Sequence, residues 1–88
     1  MTDKLNFGQA LEAIKTGSKI ARIGWNGKNM WLALIKANDY DISPETSIIP
    51  GGTTLLPWIG MKTATGEFVP WLASQTDILA DDWCILIS

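Results

Sequence analysis

Apolar residues recur at helical spacing near the start of the chain, where Phe7, Ala10, Leu11 and Ile14 share one face of the stretch Asn6 to Lys15. Asn6 can cap this helix and Gly17 can stop it, which predicts an amphipathic element of about three turns. From Lys19 to Ile23 the pattern changes to one suited to a strand. Trp25-Asn26-Gly27-Lys28 carries a hairpin-turn signal, and Asn29 to Lys36 is apolar enough for a buried strand. Residues 37–54 are rich in Asn, Asp, Ser, Pro and Gly, with Ile42, Ile48 and Ile49 as their apolar anchors, and read as a long surface excursion. Pro57 to Ala64 and Glu67 to Pro70 form a second expected hairpin, turning at Thr65-Gly66. Ser74-Gln75-Thr76-Asp77 ahead of Ile78-Leu79 has the spacing of a capping box opening a short helix, and Trp83 to Ile87 reads as a last strand. The order α-β-β-loop-β-β-α-β predicts a small α+β domain spanning residues 1–88, an antiparallel sheet with an N-terminal amphipathic helix and a short second one. Ile35, Trp58, Ile59 and Phe68 fit either a core or an interface by pattern.

Composition narrows what such a domain can do. A chain of 88 residues buries only about 60 to 65 % of the surface it exposes when unfolded, so extra stabilisation is expected. Cys84 is the single cysteine and histidine is absent, which excludes internal disulfides and Cys/His zinc sites and leaves oligomerisation as the common remedy. Five tryptophans against two phenylalanines and one tyrosine agree with that, because indoles are enriched in interfaces and ligand sites. A net charge of −2 with scattered cations argues against binding DNA or RNA polymers. The N-terminal MTDKLNFGQA has neither a signal-peptide pattern nor a membrane-spanning run, so a cytoplasmic location off the membrane is expected.

Catalysis finds little support. Without histidine the usual Ser-His and Cys-His pairs are missing, and Cys84 sits in an apolar strand where a thiol is inert packing. Asp77, Asp81 and Asp82 are the carboxylates with metal-binding potential, Asp77 and Asp81 being spaced to share a helix face. The competing reading makes Asp77 a helix cap and Asp81-Asp82 a solvated turn, and no catalytic residue, metal or cofactor is expected. The parts for binding an aromatic anion are better represented. Trp25 and Trp71 offer flat faces, Arg22 and Lys62 cationic donors, and Ser74, Gln75 and Thr76 polar groups at a helix start. Each has a structural alternative: Trp25 can cover a hairpin end, Trp71 can be core, Arg22 can pair with an acidic neighbour, and Ser74 can simply hold its helix. A deep pocket for a dinucleotide-sized ligand would have to form between subunits of so small a chain.

The strings Asn6-Phe7-Gly8-Gln9-Ala10-Leu11, Ala21-Arg22-Ile23-Gly24-Trp25-Asn26-Gly27-Lys28, Met61-Lys62-Thr63-Ala64 and Val69-Pro70-Trp71-Leu72-Ala73-Ser74-Gln75-Thr76-Asp77 closely resemble the second Thoeris anti-defence family of bacteriophages. The resemblance runs in order along nearly the whole chain and is weakest in the middle loop. It implies a molecular sponge in the cytoplasm of the infected bacterial host. Such a protein binds cyclic ADP-ribose isomers made by Thoeris TIR proteins and holds them intact; some members also bind cyclic dinucleotides of the CBASS pathway. It further implies a homotetramer with pockets at subunit interfaces. Carried onto this chain, it puts Trp25 and Trp71 against adenine or ribose and gives Asn26 a hydrogen-bonding role. Ser74, Thr76 and Asp77 would meet ribose hydroxyls or a base edge, with Arg22 and Lys62 near the phosphates. The alternatives are a metal-dependent enzyme degrading the same signals through Asp77, Asp81 and Asp82, and a protein-interaction module.

Overall fold

The computed structural model describes residues 2–37 and 54–86. Eight regular elements follow in order: β1 (Thr2–Leu5), α1 (Phe7–Lys15), β2 (Lys19–Arg22), β3 (Trp31–Ile35), β4 (Trp58–Lys62), β5 (Phe68–Pro70), α2 (Gln75–Ile78) and β6 (Trp83–Leu86). The six strands form one sheet in the order β1-β6-β2-β3-β4-β5, with every neighbouring pair antiparallel. The expected α+β architecture is therefore the observed one.

Local chemistry accounts for both ends of α1. Asn6 and Gln9 exchange hydrogen bonds, Gln9 N donating to Asn6 Oδ1 at 2.8 Å and Asn6 N donating to Gln9 Oε1 at 2.9 Å. At the other end Gly17 has φ +101°, a left-handed conformation that costs glycine little. Its N–H donates to the Ile14 carbonyl and that of Ser18 to the Ala13 carbonyl, which satisfies carbonyls the helix leaves open. The helix then buries Ala10 and Ile14 against Ile20, Leu32 and Trp83, the centre of the core.

Three elements depart from the pattern reading. The short strand β1 has no apolar alternation to announce it; its place is set by β6, which it pairs at Thr2 with Ile85 and at Leu5 with Trp83. Three steps on β1 against two on β6 make a bulge, and Lys4 within it has φ +60°. The expected tight hairpin at Trp25 to Lys28 is instead a six-residue 3-10 turn, Ile23–Lys28, and β3 starts later than expected, at Trp31. Ile23 N–H still donates at 2.9 Å to the Asp82 carbonyl, which carries the β2–β6 register one residue into the turn. The expected excursion over 37–54 lies almost wholly outside the described residues, as does Ile87 at the end of the last strand.

The second hairpin turns where expected. Gly66 has φ +97°, its N–H donates to Thr63 O, and Thr63 N–H donates to Glu67 O at 2.8 Å. On the sheet face away from α1, Phe68 lies against Trp31 and Trp58, with ring centroids 6.1 and 6.2 Å apart. Gly60 is buried beneath them, where a Cβ would run into the Phe68 ring, so this position has no room for a side chain. Of the residues that fitted core or interface equally, Ile59 packs against the core, whereas Phe68 is 43 % exposed. Pro70 is accommodated because β5 is an edge strand.

Candidate functional site

Two stretches far apart in sequence meet at one end of the sheet. Trp25 arrives on the 3-10 turn and Trp71 directly after β5, held there by its N–H donating to Ile59 O at 3.0 Å. Their rings stand edge to face, centroids 6.5 Å apart. Trp83 lies behind both, 5.4 Å from Trp25 and 6.0 Å from Trp71, and Phe7 completes the cluster 5.4 Å from Trp83 and 6.2 Å from Trp71. Trp83 is fully buried, while Trp25 and Trp71 are half-buried and keep part of each indole accessible. The aromatic knot thus joins an inner core residue to two outer ones.

A polar clamp adjoins it. Arg22 extends from the end of β2; its Nε donates to Asp82 Oδ1 at 2.9 Å, its Nη2 to Asp82 Oδ2 at 3.5 Å and its Nη1 to Asp77 Oδ1 at 3.2 Å. The other oxygen of Asp77 accepts from Ser74 N at 3.1 Å and from Ser74 Oγ at 2.8 Å. Asp77 N–H returns a bond to Ser74 Oγ at 3.1 Å, and Thr76 Oγ1 lies 2.9 Å from the same hydroxyl. Trp83 Nε1 donates to the Asp77 carbonyl at 2.9 Å, which ties the clamp to the knot.

Arg22, Trp25, Trp71, Ser74, Thr76 and Asp77, chosen from the sequence, are therefore brought together. Lys62 belongs to a different environment on β4, its Nζ donating to the carbonyl of Asn29 at 3.1 Å. The backbone of Asn26 lies in the 3-10 turn, and its side chain is outside the described residues. Asp81 and Asp77 do not share a helix face, because α2 ends at Ile78. Asp82, read from the sequence as part of a solvated turn, is instead bonded to Arg22 in a half-buried pair. Among the described residues no group of three His, Cys, Asp or Glu is gathered as a metal would require. Cys84 is buried, its Sγ against the Ala21 carbonyl at 3.2 Å. Sequence reasoning missed Phe7, Asp82 and Trp83 as partners of the site. No local signal announces them, because they depend on the β2–β6 pairing, which sets Arg22 opposite Trp83.

Partial burial alone would raise the Asp77 carboxyl, but hydrogen bonds from the Ser74 backbone and hydroxyl and from Arg22 outweigh it and hold the group below its ordinary value. Arg22 is raised above its already high value, mainly by its bond to Asp82. A carboxyl depressed in the folded state contributes stability that is present above its unfolded pKa, about 3.9, and is lost as pH falls through the lower folded value. Wild type should thus lose stability relative to Asp77→Asn below about pH 4, with a constant difference between pH 5 and 8. Urea midpoints of both proteins across pH 2.5 to 8 check this; parallel curves throughout would show that the Asp77 charge does not contribute.

The fold and this corner define a small α+β domain with an aromatic knot backed by a charged clamp. The family model for the Tad2-like, Thoeris anti-defense 2-like domain matches residues 5–86. The chain is 41 % identical over 90 residues to Thoeris anti-defense 2 of Bacillus phage SP01, an alignment covering 98 % of this chain and 99 % of that protein. This chain belongs to the Tad2-like family of Thoeris anti-defense 2-like domains. Among its described residues no helix is long and apolar enough to cross a membrane.

Proposed function

We propose that this protein counters Thoeris defence in the phage-infected bacterium by capturing the nucleotide signal, a cyclic ADP-ribose isomer of the glycocyclic type, and holding it uncleaved. The observation that carries the reading is the family match over residues 5–86, reinforced by a relative named for Thoeris anti-defense. The geometry adds a chemical rationale. Trp25 and Trp71 supply partly accessible indoles beside Ser74, Thr76 and Asp77, a combination suited to a ligand with a base face and ribose hydroxyls. One guanidinium facing two carboxylates leaves the clamp net negative, so hydroxyls and the adenine amino group turn toward it. The diphosphate then lies away from these carboxylates, and Arg22 acts mainly as the bridge between them. The proposed ligand-binding set also includes Asn26.

The proposed working form is a homotetramer with the signal held between subunits. Leu72 is 91 % exposed and Leu79 75 %, both flanking the Ser74–Asp77 segment, and exposed apolar side chains at such a place are suited to burial by a neighbouring subunit. Cyclic dinucleotides are a second ligand class within the same reading. An enzyme using Asp77, Asp81 and Asp82 with a metal is disfavoured by the commitment of Asp77 and Asp82 to Arg22.

The test is to mix stoichiometric protein with glycocyclic ADP-ribose isomers, filter, heat-denature the retained protein and assay the free nucleotide before and after heating. Depletion before heating with full recovery afterwards is the expected result. Loss that persists after heating, or turnover by substoichiometric protein, would instead establish an enzyme. No depletion of either these isomers or cyclic dinucleotides would favour a protein-interaction module.

A further inference from the structure

Asp82 belongs to neither of the two stretches that build the site, yet it contacts the base of both. Its carbonyl accepts the N–H of Ile23, the first residue of the turn that carries Trp25. Its carboxylate takes Nε and Nη2 of Arg22 side-on, which fixes the plane of the guanidinium and leaves Nη1 directed at Asp77. Asp77 in turn holds Ser74 through both backbone and hydroxyl. A continuous chain of bonds therefore runs from the 3-10 turn through Asp82, Arg22 and Asp77 to Ser74 and Thr76. Arg22 is bonded to Asp77 by a single 3.2 Å contact, so without Asp82 that long side chain would be free to leave it.

We propose that Asp82 is a positioning residue for the ligand site: by fixing Arg22 it sets the spacing between the turn bearing Trp25 and the Ser74–Asp77 segment. Asp82 does not itself touch the ligand. The inference rests on the capture reading for its ligand consequence, but its geometric content can be read on the free protein. Because the site must be assembled before the signal arrives, loosening this brace costs affinity out of proportion to stability.

The experiment compares wild type, Asp82→Asn and Asp82→Glu by calorimetric titration with a glycocyclic ADP-ribose isomer, by thermal unfolding, and by NMR of the Arg22 Nε–H and of ring-proton contacts between Trp25 and Trp71. Loss of the charge-assisted bonds in Asp82→Asn is expected to weaken binding about tenfold or more, with partial recovery in Asp82→Glu. The Arg22 Nε–H signal should exchange faster and the Trp25 to Trp71 contacts weaken, although the protein stays folded. Unchanged affinity, or a loss of affinity in proportion to unfolding with intact ring contacts, overturns the proposal. If wild type binds no nucleotide, the capture reading fails separately and the ring contacts alone decide whether Asp82 positions the turn. If Asp82→Asn does not fold, the same readouts on Asp82→Glu decide it, since its added methylene shifts the carboxylate relative to Arg22.

Discussion

Replacing Trp83 by alanine is expected to lower the denaturant midpoint of the domain steeply. The indole has no exposed surface, is the largest side chain in the core, and contacts Phe7, Trp25 and Trp71 at once. Truncating a buried Trp costs about 3 to 5 kcal/mol through lost transfer energy and the cavity left behind. The deletion also removes the donor to the Asp77 carbonyl, which carries a further cost of about 1 kcal/mol. A domain of this length has a total stability of only about 4 to 13 kcal/mol, so the loss takes a large share of it. Denaturant unfolding followed by far-UV circular dichroism measures the effect. Trp83→Phe, which keeps most of the ring volume but loses the donor, should remain folded with a smaller loss of about 1 to 3 kcal/mol. A near-wild-type midpoint for Trp83→Ala would mean that the aromatic knot does not hold the two halves of the domain together.

Trp71→Ala should leave a folded protein that no longer retains the signal. The ring is half-buried, meets its neighbours edge to face, and stands beside the polar clamp rather than at the centre of the core. Stacking on an aromatic side chain is worth about 1 to 3 kcal/mol per base, or roughly 5- to 150-fold in affinity. Calorimetric titration with a glycocyclic ADP-ribose isomer, alongside thermal unfolding of the same preparation, separates the two roles. Trp71→Phe keeps a stacking face and should recover most of the binding. If affinity is unchanged in Trp71→Ala while stability falls, Trp71 is core and the ligand lies elsewhere. Ser74→Ala provides a contrast within the same site, because removing a cap costs about 1 kcal/mol of stability whether or not its hydroxyl meets ligand.

The two replacements differ because the tryptophans serve different physical ends, and composition could not separate them. Five indoles in a short chain signalled an aromatic site or interface, but their distribution follows from strand direction. Trp83 points inward with Ile20 and Leu32, whereas Trp31 and Trp58 lie on the opposite sheet face with Phe68. Alternation along each strand makes this division, and it becomes absolute only when the helix chooses one face to cover.

The sequence by itself determined the elements whose signals are local. The capping boxes at Asn6 and Ser74, the left-handed glycines at Gly17 and Gly66, and the helical spacing of Phe7, Ala10, Leu11 and Ile14 each concern groups within a few residues of one another. The family strings could also be read there, because they are contiguous. What only the tertiary structure decided is how distant groups complete each other. The strand β1 lacks a pattern of its own and takes its place from β6; Ile23 bonds to the backbone of Asp82, 59 residues away; and Arg22 finds its partners at separations of 55 and 60 residues. No periodicity encodes such contacts, since they arise when antiparallel pairing sets β2 beside β6 and carries the end of one chain segment past the start of another. The charged clamp that organises the site is thus a product of sheet topology, while the residues that compose it were already visible in the chain.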